Sequence, residues 1–233
     1  MDSDRLLVVT CDSCGGIGDK ELDMIAVPAE LVGRFTARVA IAELMAVGAI
    51  PHLLAVAICS EPEPTGTKIL IGIDAELKAA GLDGLSRVVS TEKNVATRQT
   101  GLGISVTGIS SPSNLKVNLS KQGDAVYCMG LPKVGQELDR ADDPEIAQIE
   151  HLMKLLPCAN VHDVLPIGSR GILEETNQLA ERVDCQFLQT NHSIDVQKSA
   201  GPSTCVVFTG TDVLPGSFPA SLPLVQIGRL ISQ

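Results

Sequence analysis

The stretch from Asp12 to Pro51 constrains the fold more than any other part of the chain. The segment Arg5–Cys11 reads as a strand and delivers Asp12 to its end, where Ser13-Cys14-Gly15-Gly16-Ile17-Gly18 follows. Asp19, Glu21 and Asp23 come next. An apolar helix over Leu31–Val47 then carries one carboxylate, Glu43, among aliphatic residues, and it ends in Gly48-Ala49-Ile50-Pro51. A glycine turn lets a backbone approach a phosphate closely. Carboxylates gathered around such a turn suit a Mg²⁺ ion that also holds substrate phosphates. The combination points to nucleotide chemistry.

The 233 residues suffice for one large or two small domains. With 44% apolar residues, 2% aromatics and no Trp, the core must be built from Val, Ile, Leu and Ala. A formal net charge of −10 without a Lys/Arg run argues against nucleic-acid and anionic-membrane partners. No apolar run reaches ~18 residues, so no transmembrane helix is expected. The first residues lack the basic start and apolar stretch of a signal peptide, and a cytoplasmic location is expected. Seven Cys, with Cys59, Cys128 and Cys205 in apolar segments, read as small buried hydrophobes in a reducing compartment. Cys11 and Cys14 form a C-x-x-C with no second pair at zinc spacing.

Along the chain, Asp23–Val27 reads as a second strand. A helix is expected from about Glu30 to Val47, stopped by Gly48, and His52–Cys59 reads as a buried strand. Thr65 is placed to cap a second helix with Ile69, Ile73 and Leu77 on one stripe. Arg87–Thr91 and Leu102–Ile109 read as further strands. The polar cluster Ser110-Ser111-Pro112-Ser113-Asn114 marks the expected boundary between domains 1–111 and 112–233. The second half should hold a strand at Ala125–Gly130 and a helix from Asp142 to about Leu156. A helix at Gly171–Val183 should follow, with strands near Cys185–Gln189, Thr204–Phe208 and Leu224–Ile227. A short helical segment between Asp212 and Pro219 is weakened by Pro215 and Gly216.

Several residues are candidates for chemistry. Glu43 has Val39, Ala40, Ala46 and Val47 at helical neighbour positions, while Arg34 and Arg38 lie about 140–180° around the helix. Its own helix therefore supplies no neutralising cation. The alternatives are an ion pair from another element, exposure on a helix edge, or a metal. Asp12 is either a ligand at a strand end or an ordinary turn residue. Glu92, after the strand Arg87–Thr91, sits where α/β proteins build ligand sites, or is a solvated loop acid. Lys20 either meets phosphate oxygens or is solvated. The glycine turn matches neither a Walker A motif nor a dinucleotide fingerprint. Gly168-Ser169-Arg170-Gly171 opens a helix whose free N–H groups suit an anion, and Asp195–Pro202 is a polar loop; each either touches substrate or is an ordinary turn. No Ser/His/Asp nucleophile motif is present.

Taken together these residues resemble the superfamily of aminoimidazole ribonucleotide synthetase, the PurM-like proteins. The superfamily also includes thiamine-monophosphate kinase, selenophosphate synthetase and a hydrogenase maturation factor. The clearest match is the helix Thr36–Val47 with Glu43, followed by Gly48-Ala49-Ile50-Pro51. Asp12 falls where the family carries a metal-binding Asp, and Ser90-Thr91-Glu92 where it carries Gly-Gly-Asp or Gly-Gly-Glu. The chain is most similar to the alpha-ribazole kinase branch, through Asp12–Glu21, Val32–Arg38 and Lys198–Cys205. Two departures stand out. Only Met1–Asp4 precede the first strand, where the family carries a glycine-rich segment over the nucleotide, so closure should be simpler. Ser169-Arg170-Gly171 stands where thiamine-phosphate kinases carry Asp-Gly, which implies a different acceptor.

The resemblance implies a two-domain α/β (α+β) fold. Its N-terminal sheet would close a barrel with a second copy in a homodimer, and its C-terminal domain would be an α/β sandwich with helices on one face. It implies an ATP-dependent phosphotransferase acting on a small nucleoside-like substrate, with alpha-ribazole first among acceptors. ATP and Mg²⁺ would be the cofactors, held by metal ligands Asp12, Glu43 and Glu92, with Asp23 additional. Gly15, Gly16, Gly18 and Lys20 would contact the nucleotide. An ATP-dependent synthetase of the same fold and a non-catalytic nucleotide-binding dimer are the alternatives.

Overall fold

The computed structural model describes residues 4–211 and 218–233. The segment weighed as helical between Asp212 and Pro219 lies largely outside the described residues. The chain forms two compact units. One comprises Met1–Met45, Ala49–Asn114 and Leu138–Ala141; the other comprises Ala46–Gly48, Leu115–Glu137 and Asp142–Gln233.

In the first unit the elements run β1 (Leu6–Gly15), β2 (Ile17–Gly18), β3 (Ile25–Ala26), α1 (Ala29–Ala46), β4 (Ile50–Ile58), α2 (Thr67–Ala79), β5 (Ser86–Thr91) and β6 (Gly101–Ser110). Four strands make one sheet in the order β1-β6-β4-β5. β1 and β4 flank β6 antiparallel, and β5 lies parallel to β4. The parallel pair follows from the α2 crossover between its strands. Along β6 every second residue is buried, and Leu102, Ile104 and Val106 turn towards the helices. Thr10 on β1 donates Oγ1–H to the Ala40 carbonyl of α1 (2.6 Å), which fixes the helix over that face. The opposite face carries Leu7, Val9 and Val88, each more than half exposed.

The two helices cross at glycines. A Cβ on Gly33 would stand 2.1 Å from the Ile69 carbonyl oxygen, and one on Gly72 would stand 1.9 Å from that of Glu30. Only hydrogen at both positions lets the backbones approach this closely. The expected stripe of α2 is the buried one: Ile69, Ile73 and Leu77. Its expected cap is not used, because α2 begins two residues later and Thr65 donates its hydroxyl to Glu61.

The second unit contains β7 (Ala125–Met129), α3 (Ile149–Leu155), β8 (Val161–Pro166), α4 (Gly171–Glu181), β9 (Cys185–Gln189), β10 (Val206–Gly210) and β11 (Leu224–Ser232). Its antiparallel sheet has the order β8-β10-β7-β11-β9. Ile172, Leu179 and Ala180 of α4 join Val126, Cys128, Val207, Ile227 and Leu230 in one apolar core. Tyr127 and Phe208, directly opposite across β7–β10, stack at 5.1 Å. Among the described residues no helix is long and apolar enough to cross a membrane.

Candidate functional site

β1 is longer than expected, and this changes the setting of Asp12. Cys11 to Gly15 stay paired with Gly101–Ser105, so Asp12 lies inside the strand, opposite Ile104, and not at its end. Alternation turns Asp12 and Cys14 to the helix side of the sheet and Cys11 to the open side. Cys11 and Cys14 therefore face opposite ways and form no joint metal or disulfide site. Burial raises the pKa of Asp12, against one backbone hydrogen bond from Ser13. Burial, then the negative fields of Asp12 and Asp23, push the Cys14 thiol up to about 11. Asp12 has no salt-bridge partner among the described residues.

The glycine turn is held from within. Gly16 donates its N–H to the Thr100 carbonyl (2.9 Å) and accepts the N–H of Met24 (2.7 Å). Its φ of +69° is one that glycine adopts without strain. Asp23 closes the turn: it accepts the N–H and hydroxyl of Thr100 (2.8 and 2.7 Å) and the N–H of Lys20 (2.9 Å). A Cβ on Gly18 would collide with Thr100 and Asp23, whereas beside Gly15 the space is open within 4 Å.

Lys20 is not solvated. Its side chain is 12% exposed, and its Nζ donates to Glu61 Oε2 (2.6 Å) and to the Thr97 carbonyl (2.9 Å). Burial alone would raise the pKa of Glu61, but Lys20 and the Thr65 hydroxyl hold it down at about 2.

Glu92 lines a cleft of 420 Å³ at the ends of β4 and β5, together with Cys59, Ser90, Thr91, Val95 and Thr97. Such a volume suits a small ligand. Glu92 accepts the N–H groups of Asn94 and Val95, which lower its pKa. Cys59 is exposed here, contrary to the expectation of burial, while Cys128 and Cys205 are buried.

The proposed metal ligands do not meet in one chain. β1 and β5 are opposite edges of the sheet, three strand spacings of ~4.8 Å apart, and Glu92 lies three residues past Val89, the residue level with Asp12, which puts the two acids roughly 17 Å apart. Glu43, half-buried on α1, lies one helical turn beyond Ala40, the residue that Thr10 contacts. Ala40 sits at Thr10 and Leu44 beside Gly108, the partner of Val8, so α1 runs antiparallel to β1 and carries Glu43 away from Asp12. No group of three or more His, Cys, Asp or Glu side chains among the described residues is placed to hold a metal. The two α1 arginines both bind Glu76 of α2.

In the second unit the Gly168–Gly171 loop, an anion site or an ordinary turn by sequence, is bonded to a carboxylate of its own helix. Glu175 accepts the Gly168 N–H (2.9 Å), and Leu173 donates its N–H to Val196. Glu61 and Thr97 were not singled out from sequence. They lie 41 and 77 positions from Lys20, and no local pattern connects them.

The chain joins a four-stranded mixed sheet under two helices to a five-stranded antiparallel α/β unit. No family model and no curated protein matches the sequence. Solved structures do match over the whole chain. A thiamine-monophosphate kinase from Stenotrophomonas maltophilia superposes with TM-score 0.69 at 15% identity, over 100% of this chain and 85% of that one. The hydrogenase maturation protein HypE in complex with ATP gives 0.68 at 13%, over 97% and 77%. PurL from Thermotoga maritima complexed with ATP gives 0.67 at 12%, over 100% and 41%. At these identities the shared property is the fold.

Proposed function

We propose that the protein is an ATP-dependent small-molecule kinase that transfers the γ-phosphate to a hydroxyl of a nucleoside-like acceptor, alpha-ribazole first. Asp12 is the observation that carries the reading. It is a half-buried carboxylate with no salt-bridge partner among the described residues, on the strand that leads into the glycine turn, in a fold shared with proteins crystallised with ATP. Perturbed carboxylates of this kind concentrate at functional sites.

Mg²⁺ fits the donor set, since every candidate ligand is a hard carboxylate oxygen. The proposed ligands are Asp12, Glu43 and Glu92, with Asp23 additional although its oxygens already bind Thr100 and Lys20. Mg²⁺ is usually held by one or two carboxylates plus phosphates, so the spacing favours separate ions over a single shared centre. The metal supplies neutralisation of the phosphate oxygens. Gly15 offers open space beside its backbone, while Gly16, Gly18 and Lys20 shape the turn that borders the nucleotide.

In the reaction the acceptor oxygen bonds to the γ-phosphorus while the bond from that phosphorus to the β–γ bridging oxygen breaks. ADP leaves and the hydroxyl proton passes to solvent. The exposed apolar face of the β1-β6-β4-β5 sheet supports pairing with a second copy that closes a barrel.

Phosphate transfer from labelled ATP to a panel of nucleosides, alpha-ribazole included, tests the proposal. A stable phosphomonoester is expected. A ring-closed or aminated product would instead favour a synthetase, a reading supported by the likeness to PurL. Tight binding of Mg-ATP without turnover on any acceptor would overturn the kinase.

A further inference from the structure

We propose that Lys20 is a positioning residue, a strut that ties the turn after β1 to both walls of the Glu92 cleft, and not a phosphate ligand. The nucleotide arm of this inference rests on the kinase reading; the cleft arm does not. Lys20 reaches one wall through Glu61, two residues beyond Cys59, and the other through the carbonyl of Thr97. Cys59 and Thr97 both line the cleft. Between the walls, the Thr97 hydroxyl lies 3.4 Å from the Ser60 hydroxyl, and Ser60 is fully buried. The same turn is fastened further along, where Leu22 donates its N–H to Arg98 and Asp23 binds Thr100.

Charge supports the assignment. A lysine that attracts phosphate must present its charge, but a carboxylate 2.6 Å from Nζ offsets that of Lys20. Two of its three donors are already in use. The pair is mostly enclosed on the lysine side, so solvent screens it less than an exposed surface pair.

The two roles predict opposite results for Glu61. If Lys20 binds phosphate, Glu61→Gln releases its charge and tightens ATP. If Lys20 is a strut, Glu61→Gln weakens the cleft just as Lys20→Met does. Cys59 supplies a readout independent of activity, because its exposed thiol lines the cleft. The experiment measures the iodoacetamide alkylation rate of Cys59 in the full-length protein by peptide mass spectrometry, alongside ATP and AMP affinity.

Lys20→Met and Glu61→Gln are each expected to speed Cys59 alkylation about fivefold, the ratio set by losing roughly 1 kcal/mol of hydrogen bonding. The double variant should be no faster than either single one, and Lys20→Arg should restore the wild-type rate. ATP and AMP affinities should fall by the same factor. Should Lys20→Met fail to fold, Glu61→Gln carries the test alone. An unchanged Cys59 rate, or tighter ATP binding by Glu61→Gln, overturns the strut. Absence of ATP binding by the wild-type protein would count against the kinase reading and leave the Cys59 comparison standing.

Discussion

Arg38 grips Glu76 through two parallel hydrogen bonds, Nε to Oε1 at 2.7 Å and Nη2 to Oε2 at 2.9 Å, with both side chains 2% exposed. Arg34 adds a third contact at 3.1 Å, and the Arg38 guanidinium lies over the Phe35 ring. The pair joins α1 to α2 deep in the first unit. Breaking a buried pair from one side strands a charge and costs about 3–5 kcal/mol, whereas replacing both partners with apolar groups is often neutral. Glu76→Gln should therefore lower stability in urea by about that amount. The triple variant Arg34→Met/Arg38→Met/Glu76→Leu, which leaves neither arginine without its carboxylate, should recover most of it. A combined variant as unstable as the sum of the single variants would give zero coupling energy and show that these residues act independently.

The glycine crossing makes a second prediction. Alanine in an exposed helix normally gains about 1 kcal/mol over glycine. At Gly33 its Cβ would meet a backbone oxygen at 2.1 Å, which no rotamer change relieves. Gly33→Ala should cost about 1–3 kcal/mol net. Gly84, with open space around it, is the control and should tolerate alanine within about 0.5 kcal/mol. Equal stabilities for the two variants in a urea titration would show that the helices can separate freely.

Glu175 makes a prediction in pH. Burial raises its pKa above the usual 4.5, outweighing the hydrogen bonds from Gly168 and Arg170. A raised carboxylate ionises first in the unfolded chain, so stability falls as pH climbs from 4.5 through the folded value. Glu175→Gln keeps an oxygen for Gly168 and removes the charge. The variant should match the wild type below pH 4.5 and exceed it in Tm at neutral pH. A lower Tm at pH 7 would show that the charge itself is needed by the loop.

Elements set by regular apolar spacing were legible in the sequence, and those set by polar side chains were not. α1, expected at about 30–47, occupies Ala29–Ala46, and β9 occupies its expected residues. β8 was missed because its interior is polar. Asp163 accepts the Ser120 N–H and hydroxyl in a buried network with Thr209, and His162 pairs with Asp124. α3 is shorter than expected because Asp143, read as a helix-start acid, binds Lys133 and the Glu145 N–H instead. The helix begins only at Ile149, where Gln148 and His151 form a reciprocal cap.

The candidate site divides in the same way. Asp12 and Glu92 could be picked out as acids at strand positions. The partners of Lys20 could not, since folding brings them from distant positions. The contacts that Lys20 makes to the cleft walls are non-local in this way, which is why local patterns pointed to the acids of the cleft and not to its strut.

Asp12 gives the sharpest test, because its two proposed properties pull in opposite directions. Burial makes its negative charge unfavourable in the folded chain. If that charge is kept for a cation, then Asp12→Asn should be at least as thermally stable as the wild type without ligand. It should also lose the stabilisation that Mg-ATP gives, about 2.7 kcal/mol for the wild type at a ligand concentration 100 times Kd. Phosphate transfer should fall with it. Thermal unfolding of both proteins, with and without Mg-ATP, reads the two effects in one experiment. An Asp12→Asn variant that is stabilised by Mg-ATP as strongly as the wild type removes Asp12 from the metal site. A variant destabilised without ligand shows instead that the carboxylate is there to hold β1 together.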